Sequence, residues 1–419
     1  MIGGGPAGCT AATLLCQRGY KVTLVEKDRF PRFHIGESLL PMNLPIFERM
    51  GVLDAVREIG VVKYGADFSQ PGDGNDYNVF YFDEALGDSP EHAFQIKRAD
   101  FDQVLLEHCR DVGVQVHEET RIIRCVSQKG NVQKVEAVDR DGKGKTWQAR
   151  FVVDASGRDT FFSSANRWKR RNPRHASAAV YAHFRGVKRR PDKESGNISI
   201  YWFDKGWVWL IPLDDELMSI GAVCSPEYLK TRESELDDFL WQTLVSFKEI
   251  EKRVSGAEQV IPAEATGNYS YLSEQMSGPG FVIVGDAYAF IDPIFSSGVY
   301  LAMSSAEEAV PVAEAWMSGN RFRYWWSVKR FERRVKRGIS TFSWFIYRFT
   351  SPAMRTLMGD PRNVFGVVQA VISMLAGDVY DNGRVKRRLW IFKSIYAVAR
   401  LFERFQNAPD SAGPKYKHS

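Results

Sequence analysis

A glycine loop at the start of this chain limits what it can fold into. Gly3-Gly4-Gly5-Pro6-Ala7-Gly8 contains the pattern Gly3-x-Gly5-x-x-Gly8 and runs into Cys9-Thr-Ala-Ala-Thr-Leu-Leu-Cys16, a helix-like stretch. The first glycine allows a tight turn, the second lets backbone approach a pyrophosphate, and the third lets helix and strand pack closely. The helix N-terminus then offers unpaired N–H groups to phosphates, Ala7 among the loop residues at that site. Tyr20-Lys-Val-Thr-Leu-Val-Glu26 follows as an alternating strand ending in an acid. Glu26 lies 18 residues beyond Gly8, close to the ~20 at which an acid bonds a ribose hydroxyl. Loop, helix, strand and acid together specify a nucleotide-binding unit.

Only Met1 and Ile2 precede Gly3, where such a fold places a buried strand. That strand is usually central, so its loss would expose the edges of both neighbours and weaken cofactor binding; a start placed too late, or a piece of a longer chain, is the plainer reading. A chain of 419 residues, 44% hydrophobic, can bury a large core over two or three domains. Its net charge of +5 is small for this size and speaks against a nucleic-acid partner. The basic clusters Lys169-Arg170-Arg171 and Lys329 to Arg337 read first as solvated helix faces, with docking of an acidic protein as the sharper reading. Cys9, Cys16, Cys109, Cys125 and Cys224 are scattered without C-x-x-C spacing, which points to a reducing compartment and to no disulfide framework or metal site. No charged and apolar leader precedes the loop. Val364 to Ala376 is apolar but interrupted by Gln369, and shorter than the ~20 residues of a membrane span. A cytoplasmic protein without a membrane span is expected.

Two later segments resemble those of FAD-dependent monooxygenase-type folds. Val152-Val153-Asp154-Ala155-Ser156-Gly157 is similar to the strand and turn closing the first half of the FAD domain, and Phe281-Val-Ile-Val-Gly-Asp286-Ala to the second FAD motif. The resemblance implies that Asp286 bonds the ribityl chain or ribose, while its position alone suits a cap for the following helix. Arg98, in Ile96-Lys-Arg98-Ala-Asp-Phe101, matches a family arginine at the cofactor and otherwise reads as a surface residue at a helix start. The implied fold is α/β: a Rossmann-type FAD-binding domain, an antiparallel β-sheet substrate domain and a helical C-terminal region, the two-domain plan of aromatic hydroxylases. The expected FAD domain is discontinuous (1–60, 95–165 and 275–325), with the β-rich substrate domain at 61–94 and 166–274 and the helical region at 326–419. The alternating run from Ala176 to Val223 supports the antiparallel strands.

Gly206-Trp207-Val208-Trp209-Leu210-Ile211-Pro212 narrows the reading further. It resembles the W-x-W-x-I-P signature of flavin-dependent halogenases. Pro31-Arg-Phe-His-Ile-Gly36-Glu37-Ser38-Leu-Leu-Pro41, Lys63-Tyr-Gly65-Ala-Asp-Phe68 and Phe290-Ile-Asp-Pro293-Ile-Phe295-Ser296-Ser297-Gly298 are similar to three further segments of that family. So is the stretch from Pro361 to Asp378, which looks like that of phenol- and pyrrole-type members. The resemblance implies an enzyme of secondary metabolism that uses reduced FAD, O2 and chloride or bromide. In that family a flavin C4a-hydroperoxide oxidises halide to hypohalous acid. Ser297 and Gly298 would hold the halide through backbone N–H groups, and Ser38, Pro293 and Ser296 would flank the flavin. Trp207, Trp209 and Phe295 would wall flavin from substrate, and Lys63 would relay the hypohalous acid. Read bare, Ser296-Ser297-Gly298 is a helix cap, and Trp207 and Trp209 are an aromatic pair on one strand face. A lone lysine is usually solvated; its strand-like setting and the family match raise Lys63.

Tryptophan-type members carry a glutamate where this chain has Phe295, which favours phenol or pyrrole substrates that stabilise their own positive charge. A phenol needs a base; Glu37 reads as structural in the cofactor pocket. No second glycine loop for a nicotinamide is present, so a separate flavin reductase is implied. The small aromatic substrate is either free or tethered to a carrier protein. An aromatic monooxygenase, a geranylgeranyl-type reductase and a relative that no longer turns over are the competing readings.

Overall fold

The computed structural model describes residues 1–69, 77–128, 132–172, 177–203, 205–267 and 270–406. Ala176, at the start of the expected alternating run, and residues 407–419 of the expected helical region lie outside them.

The first layer is a parallel sheet. Thr23–Val25 pairs with Gln115–His117, and Val152–Asp154 pairs with Phe281–Ile283, both in parallel. Ile2 joins the two halves, bridging Val25 on one side and Asp154 on the other. Ile2 N donates to Val153 O at 3.0 Å, Ala155 N to Ile2 O at 2.9 Å, and Val25 N to Met1 O at 3.0 Å. The expectation of exposed neighbouring edges is therefore corrected: Met1 and Ile2 lie between the two strands and bond to both. Helices Pro6–Gln17, Arg98–Asp111 and Ser297–Met317 pack with this layer.

The second layer is an eight-stranded, mostly antiparallel sheet. Its path runs from Ala178–Arg185 through Leu217–Cys224, Gly206–Pro212, Ile198–Phe203 and Gly65–Ser69 to Tyr77–Tyr81. Period-two alternation sorts its residues onto two faces. One cross-strand row reads Tyr181, Gly221, Trp209, Ile200, Phe68, and the next reads His183, Ser219, Ile211, Ile198, Ala66. That face meets the FAD-type layer. The opposite face carries Val180, Val208, Leu210 and Ile220, buried with Phe239, Leu240, Leu244 and Ile250 in a core of their own.

A buried polar network secures this second core. Arg190 donates to Asp67 Oδ1 at 2.9 Å, Ser69 Oγ at 3.0 Å and Glu249 Oε1 at 2.7 Å, and Ser199 Oγ donates to Asp67 Oδ2 at 2.9 Å. Every charge in it is met by a partner, which is what burial of ions requires. Helices Arg321–Ile346, Pro352–Gly359, Val367–Leu375 and Gly383–Gln406 close the third side. No helix among the described residues is long and apolar enough to cross a membrane.

Candidate active site

A cleft of about 320 Å³ opens between the two sheets, within the size range of small-molecule sites. Gly3, Gly5, Ala7 and Glu26 line one end, and Trp207, Trp209, Pro293, Ser296 and Gly298 line the other. The glycines divide by role. A Cβ on Gly3 would lie 2.5 Å from Ala155 O, and one on Gly8 would collide with Gly3 O. These two allow close packing, and Gly8 stands behind the cleft. A Cβ on Gly5 would meet only Arg32 Nη2, at 3.8 Å, so the backbone there faces open space. Helix Pro6–Gln17 begins without a side-chain cap, leaving first-turn N–H groups for an anion. Glu26 Oε2 accepts from Gly4 N at 2.6 Å and Oε1 from Asp28 N at 2.9 Å, so the acid also braces the loop.

Sequence reading overlooked Arg32. Its guanidinium lies over the Phe30 ring and 3.4 Å from Asp102, and its buried Nε makes no hydrogen bond, Asp28 Oδ2 standing 3.7 Å away. An orphaned donor beside a helix N-terminus and an open glycine fits a pyrophosphate. The only sequence signal was an arginine within the segment Pro31 to Pro41. Arg32→Ala is expected to weaken FAD binding by about tenfold to a hundredfold, the worth of one charge-assisted hydrogen bond, read by fluorescence titration of the apoprotein.

Arg98 is buried and forks onto Asp102, with Nε–Oδ1 and Nη2–Oδ2 both 2.9 Å, while Nη1 donates to Ile35 O at 2.9 Å. It lines the cleft and fixes the segment that carries Glu37 and Ser38. Asp286 lines the cleft within the 3-10 turn Gly285–Ala287. Burial pushes its carboxyl up to about 6 against the opposing pull of Arg98 and Arg158. Glu37 Oε1 approaches His183 Nε2 to 2.9 Å, and its Oε2 is buried without a partner.

At the far end, Ser296 takes a left-handed φ of 53° between the turn Pro293–Phe295 and helix Ser297–Met317. This turn aims the helix start at the cleft, again without a side-chain cap. Nothing lies within 4 Å of a Cβ placed on Gly298, and the buried Ser297 Oγ has no partner. Ser297 itself stands behind the lining. Trp209 lies flat toward the neighbouring strand, its Nε1 donating to Ser219 Oγ at 3.2 Å, and its ring is 5.7 Å from that of Trp207. Phe295 turns away from the cleft lining and packs edge-on against Phe349 and Phe345.

Lys63 is 1% exposed. Its Nζ donates to Ser38 Oγ at 2.9 Å and Leu39 O at 3.1 Å, and sits 5.5 Å from the Phe82 ring centre. It meets the cleft through Ser38, which is part of the lining. No carboxylate pairs with it among the described residues, and burial lowers its pKa to about 7. Desolvation without a counter-ion produces such a shift.

A parallel nucleotide layer, an uncapped helix at each end of one cleft and a second sheet as lid define a flavin-binding oxidoreductase. The chain matches the family model for tryptophan halogenase over residues 1–90 and 82–356. It belongs to the flavin-dependent halogenases, FAD enzymes that use O2 and halide. It is 29% identical to the 1H-pyrrole-2-carbonyl-[peptidyl-carrier protein] chlorinase of Pseudomonas fluorescens, over 92% of this chain and 90% of that one. A flavoprotein/dehydrogenase structure from Cytophaga hutchinsonii superposes with TM-score 0.88 at 28% identity, covering 96% and 98% of the two chains. The myxobacterial chondrochloren halogenase CndH, a variant of the FAD-dependent halogenases, gives 0.77 at 28%, covering 96% and 95%.

Proposed function

We propose that this chain halogenates an electron-rich ring of the phenol or pyrrole type, an acylpyrrole on a carrier protein being the favoured substrate. The observation that carries the reading is Lys63: a buried amine without a counter-ion, held by Ser38 at the edge of the cleft. FAD, delivered reduced by a separate flavin reductase, supplies with O2 the oxidising equivalent that turns chloride or bromide into hypohalous acid. Gly5, Ala7 and Arg32 hold the pyrophosphate on a loop that Gly3 and Gly8 let pack closely, Glu26 and Asp286 hold the ribose and ribityl ends, and Arg98 keeps the Ile35–Ser38 segment in place. The uncapped helix start at Ser297 and Gly298 holds the halide. Trp207 and Trp209 keep the ring away from the oxidant, and Phe295 with its aromatic neighbours keeps that side dry.

Lys63 spends two N–H groups on Ser38 Oγ and Leu39 O. The third N–H of the ammonium donates to hypohalous acid and makes its halogen more electrophilic. The ring then takes the halogen and loses a proton to the departing hydroxide, which leaves as water. Support for a pyrrole comes from the chlorinase relative and from Phe295, an apolar residue where a charge-stabilising acid would serve a less activated ring.

The test is halogenation of pyrrole-2-carbonyl thioester by the protein with chemically reduced FAD, followed by mass spectrometry. Halide-dependent product is expected; hydroxylated product without halide incorporation identifies a monooxygenase instead. The rate is expected to be level below pH about 7, the value to which burial lowers Lys63, and to fall tenfold per unit above it as the ammonium is lost. The midpoint should stay in place when bromide replaces chloride. A rate that rises through the same midpoint would mean that the neutral amine, as a haloamine, carries the halogen.

A further inference from the structure

Charge is distributed unevenly along the chain. Residues 321–406 carry 18 Lys and Arg against 5 Asp and Glu, while the whole chain carries 56 against 51. Much of the excess collects where two helices meet. Arg334 pairs with Asp381, and Arg337 Nη1 donates to Tyr380 O at 3.0 Å, placing Arg333, Lys336 and Arg337 beside the start of helix Gly383–Gln406. That start holds Arg384, Lys386, Arg387 and Arg388, with no acid in its first turn. Cations there oppose the helix dipole, so the cluster does not serve the helix. Arg333, Arg384 and Arg387 are exposed and have no carboxylate partner among the described residues. Apolar groups stand exposed nearby: Phe365 is 75% exposed and its carbonyl accepts from Arg388, and Trp390 is 71% exposed on the same helix.

A chain of packed residues links this face to Lys63. Asn382 caps the helix start, its Oδ1 accepting from Arg384 N at 3.0 Å, and its Nδ2 donates to Leu86 O at 3.2 Å. Leu86 follows the turn Phe82–Glu84, whose first ring lies under the Lys63 amine.

We propose that this basic and apolar face docks an acidic carrier domain, delivering a thioester-bound ring toward Lys63. The proposal rests on the halogenase reading above and names the partner of that site. Charge complementarity selects the occupant: a free cation cluster attracts an acidic helix, and the exposed Trp390 and Phe365 suit the partly apolar centre of a protein interface.

The experiment uses the full chain, an acidic carrier domain loaded with pyrrole-2-carbonyl thioester, and the N-acetylcysteamine thioester of the same acid. Arg384→Glu/Arg387→Glu is expected to raise Kd and KM for the carrier by about tenfold or more, as should added salt. Turnover of the small thioester and halide oxidation should not change. Unchanged carrier affinity in the double variant overturns the proposal. So does binding of RNA, anionic vesicles or a second copy that the double variant loses while carrier binding persists. Halogenation of the small thioester with no measurable carrier binding overturns docking and leaves the halogenase reading intact. Carrier binding sensitive to the charge reversal without any halide oxidation does the converse.

Discussion

Lys63→Met is expected to melt higher than the unsubstituted protein and to lose nearly all halogenation. Burial lowers the Lys63 pKa from 10.5 to about 7, which corresponds to about 5 kcal/mol of folding penalty at neutral pH. The unfolded chain binds the extra proton throughout that window, so stability should rise with pH between about 7 and 10.5. Methionine fills a similar volume without a charge. It also strips Ser38 Oγ and Leu39 O of their donor, a cost of about 1–3 kcal/mol each. The balance runs from about −1 to +3 kcal/mol with its centre on the stabilising side, seen as a Tm up to a few degrees higher and as loss of the stability slope above pH 7. FAD binding should persist, because Nζ reaches Ser38 and Leu39 and none of the groups assigned to the pyrophosphate, ribose or ribityl chain. Halogenation should drop by about 10² to 10⁴, the worth of a positioned proton donor. A variant that melts lower and keeps its activity would remove Lys63 from both roles.

Gly221→Ala should be nearly as damaging, although residue 221 is absent from the cleft lining. A methyl group there would overlap the Trp209 ring and come within 2.7 Å of Tyr181 Cβ. Neither neighbour can yield cheaply. Trp209 is pinned through its Nε1 to Ser219, and Tyr181 OH donates to Glu264 at 3.0 Å. The indole must leave its place, at a cost of about 1–3 kcal/mol for overpacking, and the partition between oxidant and substrate opens. Expected are retained FAD, halogenation down by about a hundredfold, the loss that follows from a misplaced reacting group, and more hydrogen peroxide released per FAD oxidised. Gly221→Ala with normal coupling and normal product would mean that Trp209 is dispensable as a partition.

The nucleotide layer was legible because its determinants are local. Glycine spacing, a helix without a capping side chain and an acid at a strand end need only a few consecutive residues. The second sheet was legible as alternation, though not its order: that Gly65–Ser69 lies beside Ile198–Phe203 in parallel depends on a contact across more than a hundred residues. Ile2 shows the opposite error. Two residues looked too few for a central strand, yet three backbone hydrogen bonds join them to both neighbours. At the site, Lys63 could be named from its motif. Its lack of a counter-ion could not, since that is a property of everything packed around it. Arg32 was invisible for a related reason: its value lies in a guanidinium whose Nη2 faces Gly5 and whose Nε makes no hydrogen bond, and spacing does not encode an orphaned donor.

The two-faced sheet has a consequence for how such a protein can change. Trp207, Trp209, Ile211 and Tyr181 look into the cleft, while Val208, Leu210 and Val180 on the same strands belong to a separate core sealed by the Arg190 network. Stability and selectivity are thus written on alternate residues. A substitution at an odd-numbered position of strand 206–212 therefore changes the cleft, and one at an even-numbered position changes the core that keeps the strand in register. Residue parity along a single strand thus separates changes that redirect the chemistry from changes that loosen the fold.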